Sequence, residues 1–238
     1  MPVTAVEPFD PAPRAILLDL DDTLCDYSTA RSRRLRIAFA DATGLAQDAP
    51  ELDALIDASV AMQSHGTDHF RSLLARHGYG DPDRADAAAA WYRQNRFHGL
   101  ELFPSSRDVL EQLRRGPDGA ANRPLGIITN GPAEVQRAKI ELLQILSLVD
   151  FVIISGEFGT HKPDPAIFAE ALRRAGATRG ETVFVGDSAE HDMAGAHASG
   201  LRSVWINRHG RDWNLPWREP DRQVRHIHEL PRLVGSGG

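Results

Sequence analysis

The chain has a single cysteine, Cys25, among its 238 residues. No internal disulfide can form, which fits a reducing compartment. No apolar stretch approaches the roughly 18 residues that a membrane span needs. The segment from Met1 to Pro13 holds four prolines and no apolar core, so it does not read as a secretory signal. A basic excess is also missing. Lys and Arg number 27 against 33 Asp and Glu, for a net charge of −6. That balance argues against a nucleic-acid binder, and the local run Arg31, Arg33, Arg34 and Arg36 reads as a solvated helix face. The composition, 42% hydrophobic and 25% charged, is that of a globular chain. These absences leave a cytoplasmic protein, without membrane or nucleic-acid partners, as the expectation.

Residues 1–13 read as a flexible arm, and 14–19 as a buried strand. From Ser28 the pattern turns helical: Leu35, Ala38, Phe39 and Ala42 recur at helical spacing up to Gly44. Further helices fit Pro50 to Met62, Asp68 to His77 (capped by Thr67, ended by Gly78) and Asp83 to Phe97. No strand is expected between residues 28 and 100.

The pattern then alternates. Apolar runs at Leu125–Thr129, Phe151–Ile154, Val183–Val185 and Ser203–Ile206 are separated by helical stretches at Pro132–Leu146, Pro165–Ala175 and Met193–Ser199. A further helix fits Ser106–Arg115, before a Gly-, Pro- and Asn-rich loop from Gly116 to Pro124. Val224–Ile227 reads as a short edge strand, Glu229–Val234 as a short helix, and the terminal Gly-Ser-Gly-Gly as disordered. Continuous apolar strands between helices imply a parallel sheet covered on both faces. The fold class is therefore α/β: a doubly wound, Rossmann-like core (residues 14–27 and 101–238) interrupted after its first strand by an all-helical insert (residues 28–100).

Polar groups follow the core strands. The first strand runs into Asp19-Leu20-Asp21-Asp22-Thr23-Leu24. The second gives Thr129-Asn130-Gly131-Pro132. The third leads to His161-Lys162-Pro163-Asp164-Pro165, and the fourth to Gly186-Asp187-Ser188-Ala189-Glu190-His191-Asp192. In a parallel sheet these ends share one edge, where α/β folds place ligands. Carboxylates avoid burial unless paired or bound to metal. Asp19, Asp21 and Asp187 suit a hard divalent cation such as Mg²⁺. Thr129 and the amides of Asn130 and Gly131, at the start of a helix, suit an anion, and Lys162 adds positive charge. A cation site beside an anion cradle suits phosphoryl transfer.

These motifs resemble the haloacid dehalogenase superfamily in its Mg²⁺-dependent phosphatase branch: Asp19–Thr23, Thr129-Asn130-Gly131, Lys162-Pro163, and Gly186-Asp187-Ser188 with Asp192. All four occur in family order across about residues 14–207. The stretch Ile154-Ser155-Gly156-Glu157-Phe158-Gly159 further resembles the nucleotidase and N-acylneuraminate-9-phosphatase-like subgroup. The resemblance implies that Asp19 is the nucleophile, forming an aspartyl-phosphate, and that Asp21 is the general acid and base. It implies Mg²⁺ on the Asp19 carboxylate, the Asp21 backbone carbonyl and Asp187. Lys162 would also be catalytic, stabilising the nucleophile and the developing charge. Thr129, Asn130, Gly131 and Lys162 would bind phosphate, with Ser188 and Asp192 in support, and Asp192 would hold metal waters or orient Lys162.

The insert lies where the family carries a helical cap, with residues 22–27 as the hinge and Phe97–Pro104 as the return. Haloalkanoate dehalogenases lack the second aspartate of the first motif, so Asp21 favours phosphate esters. The reading is thus a phosphatase for a small phosphorylated metabolite, a nucleotide or sugar phosphate. A phosphomutase or phosphotransferase, a dehalogenase-type hydrolase, and a catalytically silent phosphate-binding module are the alternatives. Cys25 reads as hinge packing. The pairs His65/His69 and His226/His228 are spaced too loosely, without matching cysteines, for a zinc site. Monomer and homodimer are both compatible with the sequence.

Overall fold

The computed structural model describes residues 7–62, 66–116 and 122–235. Residues 1–6 of the expected arm, 117–121 of the loop, His65 and the terminal 236–238 lie outside them. The chain divides into two compact units: one of residues 1–25 and 102–238, the other Asp26–Glu101.

The larger unit is built on β1 (Ala15–Leu18), β2 (Leu125–Thr129), β3 (Phe151–Ile154), β4 (Thr182–Gly186), β5 (Arg202–Ile206) and β6 (Arg222–Val224). They form one sheet in the order β3-β2-β1-β4-β5-β6, with every pairing parallel. The edge strand β6 is shorter than expected and starts two residues earlier. β1 is buried at all four residues, and β2 and β4 at all five, as a sheet covered on both faces requires. Leu17, Ile128, Ile153, Phe168, Phe184 and Trp205 pack into one core. Gly126 is needed there because a Cβ would lie 2.3 Å from the Phe151 ring.

Helices of the smaller unit are α1 (Tyr27–Thr43), α2 (Glu51–Ala61), α3 (Thr67–Arg76) and α4 (Pro82–Gln94). They enclose a core of Leu35, Phe39, Leu52, Phe70, Leu73 and Tyr92. α1 starts where Asp26 accepts from the Thr29 amide and stops at Gly44, in the left-handed region. Thr67 is not the cap of α3: the extended Gly66 takes that place, without a side-chain hydrogen bond. α4 ends at Gln94, three residues earlier than Phe97. The two chain segments joining the units are paired: Cys25 bridges Leu102, and the Asp26 amide donates to the Glu101 carbonyl at 2.9 Å.

The larger unit also holds α5 (Ser106–Leu113), α6 (Ala133–Leu142), α7 (Ser155–Phe158), α8 (Pro165–Ala175), α9 (Ala194–Ala198) and α10 (Leu230–Leu233). The helix expected over Pro132–Leu146 stops at Leu142, because Gln144 takes a left-handed backbone at φ 51°. Met193–Ser199 is likewise shorter, α9 being preceded by a π-helical turn over Ala189–Met193.

Residues 7–13 are not a free arm. Phe9 is buried, its amide donates to the Leu233 carbonyl at 2.8 Å, and the guanidinium groups of Arg202 and Arg222 lie over its ring at 5.1 and 5.0 Å. Among the described residues, no helix is long and apolar enough to cross a membrane.

Candidate active site

β1 delivers Asp19 to the carboxyl edge of the sheet. Its amide still donates to the Val185 carbonyl at 2.9 Å, so the backbone is fixed by the ladder. Leu20 turns into the core and is fully buried. The chain then folds back on itself: the Leu24 and Cys25 amides return to the Leu20 carbonyl, and Asp22 takes a left-handed backbone at φ 59°. Cys25 sits at the base of this turn, buried, its Sγ 3.5 Å from the Leu20 carbonyl oxygen. Arg208 lies over the Phe103 ring at 3.4 Å and donates to the Asp22 and Thr23 carbonyls.

Lys162 is 2% exposed and divides its ammonium between two carboxylates. Nζ lies 2.5 Å from Asp19 Oδ1 and 2.7 Å from Asp192 Oδ1. A buried lysine demands such pairing, since an unpaired buried charge is costly. Asp192 is in turn held by the Ser188 amide at 3.0 Å. This return fold is possible because residue 186 is glycine: a Cβ there would sit 2.2 Å from Asp192 Oδ2. Ser188 Oγ accepts the His191 amide and opens the turn that carries Asp192.

Carboxylate oxygens of Asp19, Asp187 and Asp192 all lie within 4.8 Å of one another. Burial pushes the Asp19 carboxyl up to about 7, against the pull of Lys162 and with help from the Asp192 and Asp21 charges. Burial and then the charges of Asp19, Asp192 and Asp22 push Asp187 up to about 9. Burial opposes the Lys162 ammonium, but Asp19 and Asp192 outweigh it and hold the group above its ordinary value. Three close carboxylates against one ammonium make an oxygen-rich, negatively charged donor set, which fits a hard divalent cation. Asp192 is already bound to Lys162 and the Ser188 amide, so Asp19 and Asp187 are the carboxylates best placed as ligands. The Asp21 carboxylate lies outside this cluster.

Thr129 ends β2, 1% exposed, with its Oγ1 hydrogen-bonded to the Gln136 amide. The Asn130 side chain makes a two-point clamp on the Lys162 main chain: Nδ2 donates to the Lys162 carbonyl, and Oδ1 accepts the Lys162 amide, both at 2.9 Å. Asn130 thus positions Lys162. The Gly131 amide, expected to face an anion, donates instead to Ser155 Oγ at 2.9 Å. Gly156 packs here too, where a Cβ would meet the Gly131 carbonyl oxygen at 2.7 Å. The Ser155-Gly156 pair therefore fixes the turn after β2.

Sequence reading missed Gln136 and Lys139. Both lie on α6, three residues apart, and are 1% and 3% exposed. Lys139 Nζ meets both oxygens of Asp21, at 2.8 and 2.6 Å. The only trace in the sequence is their i,i+3 spacing, which also suits an ordinary solvated helix face. His69 of the histidine pairs accepts no such role: it is buried and hydrogen-bonded to Ser59 Oγ at 2.9 Å.

Fold and site together define a protein of the parallel α/β class that gathers carboxylates and a buried lysine at the strand ends. The chain belongs to the haloacid dehalogenase-like hydrolases: the model of that family matches residues 13–200. A glyceraldehyde 3-phosphate phosphatase from Methanopyrus kandleri is 35% identical over 231 residues, 93% of this chain and 97% of the relative. An N-acylneuraminate-9-phosphatase from Mus musculus is 28% identical over 239 residues, 94% of each. The solved HAD-hydrolase YfnB from Bacillus subtilis, bound to magnesium, shares the fold with a TM-score of 0.70 at 23% identity, over 94% of this chain and 99% of that one.

Proposed function

We propose that the protein is a Mg²⁺-dependent phosphomonoester hydrolase for a small phosphorylated metabolite, a nucleotide or sugar phosphate. The observation that carries this reading is the buried Asp19, paired with Lys162 and within ligand distance of Asp187. A carboxylate so placed is a nucleophile with its counter-charge already in position.

In the first step an Asp19 oxygen bonds to phosphorus as the bond to the leaving oxygen breaks, and Asp21 gives that oxygen a proton. In the second, Asp21 takes a proton from water, the water oxygen bonds to phosphorus, and the Asp19–phosphorus bond breaks. Lys162 holds the Asp19 carboxylate and offsets charge on the transferring phosphoryl group. Thr129 Oγ1 and the turn after it line the anion side. A divalent cation held by Asp19 and Asp187, with the Asp21 carbonyl, would offset the repulsion between nucleophile and phosphate dianion.

Relatives' names point to phosphate esters of small carbon skeletons. The test is phosphate release from a panel that includes glyceraldehyde 3-phosphate, N-acylneuraminate 9-phosphate, nucleoside monophosphates and p-nitrophenyl phosphate, with Mg²⁺ and with EDTA. Mg²⁺-dependent release from at least one is expected. No release from any member would favour a silent binding module.

A further inference from the structure

The proposed acid and base, Asp21, has its own lysine. Lys162 serves Asp19 from the loop before α8, whereas Lys139 serves Asp21 from within α6. Lys139 grips both carboxylate oxygens, at 2.8 and 2.6 Å, so it fixes the rotation of the group as well as its location. Gln136 adds a third contact, Nε2 to Asp21 Oδ2 at 3.2 Å, and the same nitrogen reaches Thr129 Oγ1. Cys25 Sγ lies 3.7 Å from the other oxygen.

The local backbone is shaped around this contact. Gly131 sits at φ +146°, and a Cβ there would press within 3.1 Å of the Gln136 side chain. Gln136 and Lys139 are almost fully buried. Two long polar side chains on the inward face of a helix carry a large desolvation cost, which only well-matched partners offset.

We propose that Lys139 and Gln136 are positioning residues for proton transfer: they hold Asp21 where its carboxyl can reach the leaving oxygen, and Gln136 ties that placement to the phosphate-side Thr129. This rests on the phosphatase reading above. A general acid contributes only within hydrogen-bond reach of the oxygen it serves. Loss of the clamp therefore harms esters whose leaving group needs a proton, and spares those whose leaving group departs as a stable anion.

The test compares kcat/KM for glycerol 3-phosphate, an alkyl ester, with that for p-nitrophenyl phosphate. Lys139→Met is expected to lower the alkyl value by about 10²-fold and the aryl value by less than about tenfold. Gln136→Leu, which keeps the buried ion pair and so the fold if Lys139→Met does not, is expected to shift the ratio the same way by several-fold. In an Asp21→Asn background, Lys139→Met should cause no further change in the ratio. Equal losses for both esters in folded variants, or a further change in the Asp21→Asn background, would overturn the positioning role while leaving the phosphatase reading intact. A wild-type chain inert toward both esters and toward every member of the phosphate-ester panel above would overturn both readings.

Discussion

Lys162 shows how much of the site rests on single contacts. Its ammonium joins Asp19 to Asp192, while Asn130 holds its main chain from the opposite side. Replacing Asp192 by Asn removes one of two charges from a fully buried lysine. We expect a loss of about 3 kcal/mol, read as a lower denaturation midpoint, together with reduced turnover as Lys162 loses its orientation; an unchanged midpoint would contradict the structural part. Asp19→Asn removes the other of these charges, so it too should lower the denaturation midpoint, and in addition the amide is no nucleophile. Turnover should fall by more than about 10²-fold with an unaltered circular dichroism spectrum, and retained activity would sink the assignment. At this scale Asp19, Lys162, Asp187 and Asp192 were legible because each follows an apolar strand where a charged residue needs a reason. Lys139 and Gln136 were not, because inside a helix polar residues are commonplace and burial is a tertiary fact. Nor was the Gly131 amide's bond to Ser155, which requires the neighbouring strand end.

Elements set which groups meet. The buried strands could be read from continuous apolar runs, and their parallel order places Asp19, Thr129 and Asp187 on one edge. Helix ends were less legible, since a glycine such as Gly66 displaced the better-looking cap Thr67. Two glycines separate packing from chemistry. Gly126→Ala should destabilise the sheet by about 1–3 kcal/mol through its clash with Phe151, leaving kcat per folded molecule unchanged. Gly186→Ala should lower kcat as well, because the clash is with Asp192.

The α2–α3 contact carries a pH dependence. His69 is buried against Ser59, and burial, then Arg31 and Arg76, hold its imidazole below the ordinary 6.5. The folded state therefore favours the neutral ring. Its contribution is complete above about pH 6.5 and is lost as pH falls through the lowered folded value, because the unfolded chain takes the proton first. The urea midpoint should drop from pH 7.5 to 5.5, and His69→Gln should flatten that drop. Parallel pH curves for wild type and variant would contradict this account.

At the scale of the whole molecule, the chain carries a net charge of −6 and gathers buried and half-buried carboxylates at one sheet edge. A cation that binds only the folded state stabilises it by mass action, by about 2.7 kcal/mol at a hundred times its dissociation constant. Mg²⁺ should raise the thermal midpoint reversibly, and Asp187→Asn should remove most of that rise; an equal rise in the variant would place the cation elsewhere. The division into an α/β unit and a helical unit was legible from the change in periodicity near residues 28 and 100. The ordering of residues 7–13 was not, because it depends on Arg202, Arg222 and Leu233, which are some two hundred residues away in sequence.

The central claim is that Asp19 becomes phosphorylated. Rapid acid quenching during turnover of p-nitrophenyl phosphate, followed by peptide mapping, tests it directly. The account predicts a phosphoryl group on the peptide holding Asp19, absent in Asp19→Asn and absent without Mg²⁺. A turning-over enzyme with no phosphorylated peptide, or with the group on a different residue, would contradict it.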